Sequence, residues 1–296
     1  MDTARLRPSE EVARIGEADL HYWVYPAGAG ADGADQHETV LMVHGLRGTH
    51  HGLELIAAGI ARGRVIIPDL PGFGDSEPMR GRTHDTAGYA DALIELIRRL
   101  DDRGRPIVLI GHSFGSIVAA RIAARVPHLV RRLVLINPIS TPALAGPRVA
   151  MSKLTSAYYS LGRALPGKAG HALLSSRWVV LASSRAMTRT KDKRLREFIH
   201  DSHLRHFNRF HSPAVLSETF QASVTSTVAD FADAIGMPTL LIAGEHDEIA
   251  PVAGQRELAD RMADARLEVL PDVGHLVHYE TPLAAAAAVE RFLGTP

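Results

Sequence analysis

The sequence predicts an α/β fold in which helices cover both faces of a mostly parallel central sheet. Two observations carry that prediction. Short apolar runs recur along the chain, each continuous rather than alternating, which is how strands read when both of their faces are buried. Helical stretches separate most of these runs, and strand, helix, strand, helix is the order of a layered parallel sheet. A chain of 296 residues, 46% apolar and 22% charged, is long enough to bury a sizeable core.

The elements follow in order. The N-terminal "MDTARLRPSEEVARIG" lacks the apolar stretch of a signal peptide. The stretch "YPAGAGADGADQHE", residues 25 to 38, reads as a surface loop joining early antiparallel strands. Central strands are expected in "TVLMVHG" from Thr39, "RVIIPDL" from Arg64, "PIVLIG" from Pro106, "RRLVLINP" from Arg131 and "MPTLLIAG" from Met237, with a weaker sixth in "RLEVLP" from Arg266. In "YADALIELIRRL" Tyr89, Leu93, Leu96, Ile97 and Leu100 recur at helical spacing and mark one face of a crossover helix. The alternation breaks once. From Pro138 to Ile235 no comparable strand occurs, and between Lys191 and His211 the residues Leu195, Phe198, Ile199, His203, Phe207 and Phe210 form a helical stripe. The chain therefore divides into a core of residues 1–137 and 236–296 and a helical insertion of residues 138–235.

Composition excludes several classes. There is no cysteine, so disulfides, thiolate zinc sites, iron–sulfur clusters and a cysteine nucleophile are absent. The 33 Lys and Arg balance the 33 Asp and Glu, and no stretch resembles a nucleic-acid-binding module. No window reaches the roughly 18 apolar residues of a membrane span; "LAAAAAVERFL" is too short and carries Glu290 and Arg291. A cytoplasmic protein is expected. The neutral total hides a local excess, because Met151 to His211 holds 12 Lys and Arg against three Asp and Glu. Three readings stand: a solvated surface, capture of an acidic acyl substrate such as a coenzyme A thioester, or loose attachment to an anionic membrane aided by "WVVLA" from Trp178.

The chemistry concentrates at "GHSFGS", residues 111 to 116, directly after a buried strand and before the helical "FGSIVAARIAARV". A sharp strand-to-helix turn there lifts Ser113 into the crevice beyond the strand ends, and Gly111 and Gly115 permit the close backbone approach. A serine hydroxyl needs a base, and the base needs an orienting acid. His275 in "DVGHLVHYETP" follows the last strand, with His278 as its local rival, read as helix-start surface or packing. Asp247 in "LLIAGEHDEIAP" follows the preceding strand, while Glu245, Glu248 and Asp272 read as solvated loop charge. Charge developing on a carbonyl oxygen requires donors, for which the backbone N–H groups of Leu46 and Phe114 are placed. His44 is expected to brace that loop, and Arg47 to touch substrate.

These residues resemble the α/β-hydrolase superfamily, on "VHG" at 43–45, "DLPGFGDS" at 69–76, "GHSFG" at 111–115, "GEHDEIAP" at 244–251 and "VGH" at 273–275. The resemblance implies the α/β-hydrolase fold, a cap formed by the insertion, scaffold roles for Asp69 and Ser76, and a capped, esterase-like serine hydrolase. Its catalytic residues would be Ser113, Asp247 and His275, its partner a small-molecule acyl substrate, with no metal and no organic cofactor. Dehalogenases and epoxide hydrolases of the superfamily carry aspartate at the position of Ser113. Carbon–carbon hydrolases of meta-cleavage type share the serine but commonly place Trp where this chain has Leu276. Thioesterases, lactonases and a non-catalytic ligand-binding protein are the other readings.

Overall fold

A computed structural model describes residues 8–27, 38–100, 104–142 and 149–294. The expected runs become β3 (Thr39–Val43), β4 (Arg64–Pro68), β5 (Ile107–His112), β6 (Val130–Ile136), β7 (Thr239–Gly244) and β8 (Ala265–Leu270), preceded by the hairpin of β1 (Ser9–Ile15) and β2 (Ala18–Tyr25). The sheet order is β1-β2-β4-β3-β5-β6-β7-β8, antiparallel as far as β4 and parallel from there. The turn joining the antiparallel pair lies at Gly16, in left-handed backbone, and not in residues 25–38, which link β2 to a strand it does not touch. Most of that segment, residues 28–37, lies outside the described residues.

Successive side chains of each central strand enter opposite cores, as the two-residue period of a strand requires. Leu41, Ile66, Leu109, Leu133 and Leu241 face one way, against α2 (Thr86–Leu100) and α3 (Phe114–Arg125). Val40, Ile67, Val108, Val134 and Ile242 face the other, against α1 (Glu54–Ala57) and α11 (Pro282–Leu293). This double burial is why the strands read as unbroken apolar runs. The edge strand β8 is only partly buried along most of its length, which explains its weaker signal. On α2 the expected stripe is buried at Tyr89, Leu93, Leu96 and Ile97, with Leu100 packed at its margin. Between β7 and β8 lies α9 (Val252–Arg261), and the short α10 (Val277–Glu280) precedes α11.

Between β6 and β7 the chain passes through α4 (Val149–Ala164), α5 (Gly167–Leu174), α6 (Arg177–Met187), α7 (Lys193–His206) and α8 (Pro213–Thr225). Leu195, Ile199 and His203 turn inward on α7 as expected, but Phe198 is largely exposed. Steps of four residues carry 195, 199 and 203 along one face, and Phe198 lies off it, touching Tyr279 edge-on. The insertion is fastened to the core by specific bonds. The Tyr89 and Thr219 hydroxyls share a 2.6 Å bond between α2 and α8. Gly74 N–H donates to the Arg209 carbonyl and His211 N–H to the Gly72 carbonyl, each at 2.8 Å, clasping the 69–76 loop. Within that loop Asp69 accepts the N–H groups of His50 and Asp75, and Ser76 Oγ donates to the Asp69 carbonyl, so both act as scaffold.

Arg47 makes the tightest fastening. Its buried guanidinium donates to the carbonyls of Leu174 (2.8 Å) and Phe207 (3.1 Å) and to Asn208 Oδ1 (3.2 Å), and it lies over the Phe210 ring. Contact with substrate, expected from sequence, would require these bonds to be given up. Nearby, His203 is fully buried with Nδ1 2.7 Å from the Ser184 hydroxyl, and burial pushes its pKa down to about 3. Among the described residues no helix is long and apolar enough to cross a membrane.

Two outcomes follow from these ties. Arg47→Met keeps the bulk but strands two buried carbonyls, and should cost about 1–3 kcal/mol in urea unfolding. Faster hydrogen exchange around residues 174 and 207 would accompany it. The second concerns acid. A histidine held neutral in the fold titrates near 6.5 once unfolded, so below that pH the unfolded chain binds more protons and stability falls toward the folded value near 3. Each such group contributes up to about 1.4 kcal/mol per pH unit. His203→Asn, which retains a partner for Ser184, should flatten the loss of stability between neutral and acidic pH; an unchanged slope would show that His203 titrates normally.

Candidate active site

The parallel strands are laid down in two directions from β3, with β4 on one side and β5 on the other, so a crevice opens beyond the carboxyl ends of β3 and β5. Ser113 stands at the end of β5, half-buried, with φ 53° and ψ −121°, a backbone state that L residues seldom adopt. The neighbouring glycines are required by space. A Cβ on Gly115 would lie 2.2 Å from the Val43 carbonyl oxygen, and one on Gly111 would lie 2.4 Å from that of Gly115. Bare backbone at both positions is what lets α3 start directly against β3 and β5.

The three separated residues come together. Ser113 Oγ is 2.8 Å from His275 Nε2, and His275 Nδ1 is 2.8 Å from Asp247 Oδ2. Since an ionised carboxylate only accepts, Nδ1 carries the proton and Nε2 is left to accept from the serine hydroxyl. Asp247 is buried, and its Oδ1 accepts the N–H groups of Ile249 (2.8 Å) and Ala250 (2.9 Å). Burial by itself raises its pKa; the charge and bond of His275, with the donors from Ala250 and Asn137, outweigh that and hold it below the usual carboxylate value.

Asn137 was missed by sequence reasoning. It is fully buried at the end of β6, with φ 48°, and its amide donates to Asp247 Oδ2 and to the Gly274 carbonyl (3.2 Å). One side chain thus fixes the acid and the turn that carries His275. The available signal was a polar residue closing the apolar "LVLIN" run immediately before Pro138.

The backbone positions expected to receive a developing oxyanion flank the serine. Phe114 opens α3, and Leu46 follows Gly45, whose Cβ, if it had one, would sit 3.1 Å from Ser113 Cβ. His44 braces this loop. Leu70 N–H donates to its Nε2 and its Nδ1 donates to the Gly45 carbonyl, both at 2.9 Å, and burial lowers its pKa, in keeping with an uncharged ring. His278 is not on the surface. It is buried with its ring 4.2 Å from that of His112, which in turn lies 5.5 Å from that of His275. Burial pushes His112 to about 3 and His278 well down, so these rings pack as neutral groups behind the base. Glu245, Glu248 and Asp272 are exposed; Glu248 pairs with Arg189 at 2.7 Å, and Glu245 accepts the Asp272 N–H. Glu245, His246 and Asp272 gather at the surface without any buried ligand atom.

Comparison with known proteins agrees with this architecture. A 2-hydroxymuconate semialdehyde hydrolase of Pseudomonas putida is 29% identical over 234 residues, covering 78% of this chain and 76% of its own. Two solved structures are similar in fold. The enol-lactonase from Burkholderia xenovorans LB400 is 21% identical with a TM-score of 0.76, over 96% of this chain and all of that one. The esterase from Exiguobacterium antarcticum is 16% identical with a TM-score of 0.77, over 97% of this chain and all of its own. The sequence profile of the alpha/beta hydrolase family matches residues 40–289, which take in the parallel strands and most of the helices, and the chain therefore belongs to that family.

Proposed function

We propose that this α/β hydrolase cleaves a carboxylic ester, or a closely related acyl bond, through an acyl-enzyme on Ser113. The observation that carries the reading is the continuous relay from Ser113 Oγ through His275 to Asp247, with both bonds at 2.8 Å. His275 Nε2 takes the hydroxyl proton as Oγ adds to the substrate carbonyl carbon. Asp247 stabilises the imidazolium, and the N–H groups of Leu46 and Phe114 donate to the oxygen that becomes negative. His275 then returns the proton to the departing alkoxide, leaving Ser113 acylated. Water, deprotonated by the same ring, attacks the acyl carbon; the carboxylic acid departs and the serine hydroxyl is restored. Asn137 keeps the carboxylate aimed at Nδ1 throughout.

A second reading has a specific observation behind it. The Pseudomonas putida relative is named a 2-hydroxymuconate semialdehyde hydrolase, which makes the meta-cleavage type of carbon–carbon hydrolase the second reading. Here Leu276 follows the histidine and packs with Ile199 and Tyr279 beneath α7, filling the position where hydrolases of that type commonly carry Trp. That replacement favours the ester.

A fluorophosphonate probe should label Ser113 covalently, and labelling should vanish in His275→Ala. Ser113→Ala should lower turnover of the best ester by on the order of a millionfold. If it keeps most of the activity, or if a meta-cleavage substrate outruns every ester, thioester and lactone in a panel, the proposal fails. Asn137→Ala removes a bond to a charged group worth about 1.5–3 kcal/mol, so kcat should fall about tenfold or more while KM stays close to its original value. A purely structural role would instead lower the concentration of active protein at constant kcat, as read by probe titration.

A further inference from the structure

The basic segment of the insertion is not an even spread of charge. A cleft of about 530 Å³ opens between α6 and α7, within the range of small-molecule sites, and five cations line it: Arg185, Arg189, Lys191, Lys193 and Arg196. Glu197 is the single carboxylate among its lining residues. Arg189 is paired with Glu248, but among the described residues Arg185, Lys191, Lys193 and Arg196 form no ion pair. Five cations against one carboxylate leave the concavity net positive, and an anion relieves the repulsion among the four that lack an ion pair. The cleft's histidine senses the field: burial and the charges of Arg185 and Arg196 lower the pKa of His200. The first amides of α7 add nothing to this, because Asp192 already accepts the N–H groups of Arg194 and Leu195.

The neighbouring surface indicates where the anion comes from. Trp178 lies seven residues before Arg185 on α6, hence on the same helix face and about 10.5 Å along it. It is 73% exposed, the most exposed of the large apolar side chains among the described residues, and the Arg177 guanidinium lies 5.8 Å from its ring. A soluble phosphate ester needs the cations alone. An indole standing free of the protein beside unpaired cations suits the boundary between lipid headgroups and acyl chains.

We propose that the α6–α7 cleft binds the phosphate of an anionic phospholipid and that the outer face of the insertion, with Trp178 inserted, docks on a membrane surface. Attachment is peripheral and electrostatic, and it depends on none of the steps assigned to Ser113. Cosedimentation with vesicles of phosphatidylcholine, with and without phosphatidylglycerol, tests it on the intact protein. Binding is expected only with phosphatidylglycerol present, falling as salt is raised and by about fivefold for each cation removed in Arg185→Ala and Arg196→Ala. Both side chains are exposed and unpaired, so folding is unaffected, and a circular dichroism melt checks this. Trp178 fluorescence should shift to the blue on binding and be quenched by brominated acyl chains, with Trp178→Ala as the control for buried Trp23. Three results would overturn the proposal: no sedimentation with either vesicle, sedimentation unchanged in the double variant, or saturable binding of inorganic pyrophosphate without vesicle binding. The last would assign the cleft to a soluble phosphate ester. Because no readout uses turnover, failure here is distinct from failure of the ester hydrolase reading.

Discussion

A buried carboxylate is stable only if every lone pair that faces the protein is met by a donor, and the site depends on how Asp247 satisfies that rule. Its donors come from three places: the turn after β7, the histidine on the loop after β8, and Asn137 at the end of β6. Meeting the charge therefore also sets the spacing of three strand ends. Asn137 is the member that joins them, since the same amide reaches the carbonyl of Gly274 beside the base. Electrostatic necessity and the geometry of the proposed relay are here one network, and removing any donor would leave a charge in low dielectric as well as a loosened histidine.

The backbone carries the matching strain. Among the described residues, the non-glycine positions with positive φ are Arg47, Ser113, Asn137 and Asp272. They follow β3, β5, β6 and β8 respectively, all at the carboxyl edge of the parallel strands. Each such residue costs on the order of 1–3 kcal/mol, which a surrounding structure must outweigh. Here the surroundings are the doubly covered strands, whose side chains are almost fully buried on both faces. The rigid sheet holds the turns open in directions they would not choose, and the turns aim the serine, the amide and the loop of His275 toward one point.

Much of this was legible in sequence for a physical reason. Strands buried on both faces must be continuously apolar, and a serine on a tight strand-to-helix turn must have small neighbours, so β3 to β7 and Ser113 announce themselves in residue type. Asp247 and His275 were legible through their places after successive strands. Asn137 was not, because an asparagine after a strand is ordinary turn chemistry until the carboxylate it serves is seen across the fold. Arg47 reads toward the crevice because it lies beside Leu46 in the loop after β3; its partners are carbonyls 127 and 160 residues away, contacts that no local pattern encodes. Of the two alternatives read for His278, surface or packing, the structure takes packing, against the ring of His112 at the end of β5.

The charge distribution shows how one insertion meets two opposed demands. Residues 151–211 carry nine more Lys and Arg than Asp and Glu, and the rest of the chain carries nine fewer. In its buried contacts with the core, the insertion offers uncharged groups: neutral His203, the carbonyls that Arg47 takes up, and the aromatic faces of Phe210 and Phe220. Of its cations, Arg189 and Arg209 reach core carboxylates, Glu248 and Asp75, at the surface, and most of the others stand in solvent, where water or an anion can solvate them. Had they faced inward, each would have needed a buried carboxylate, and a second negative centre close to Asp247 would have raised the pKa of both acids and weakened the hold on His275. Keeping the insertion's basic residues at the surface leaves Asp247 as the buried carboxylate that holds His275.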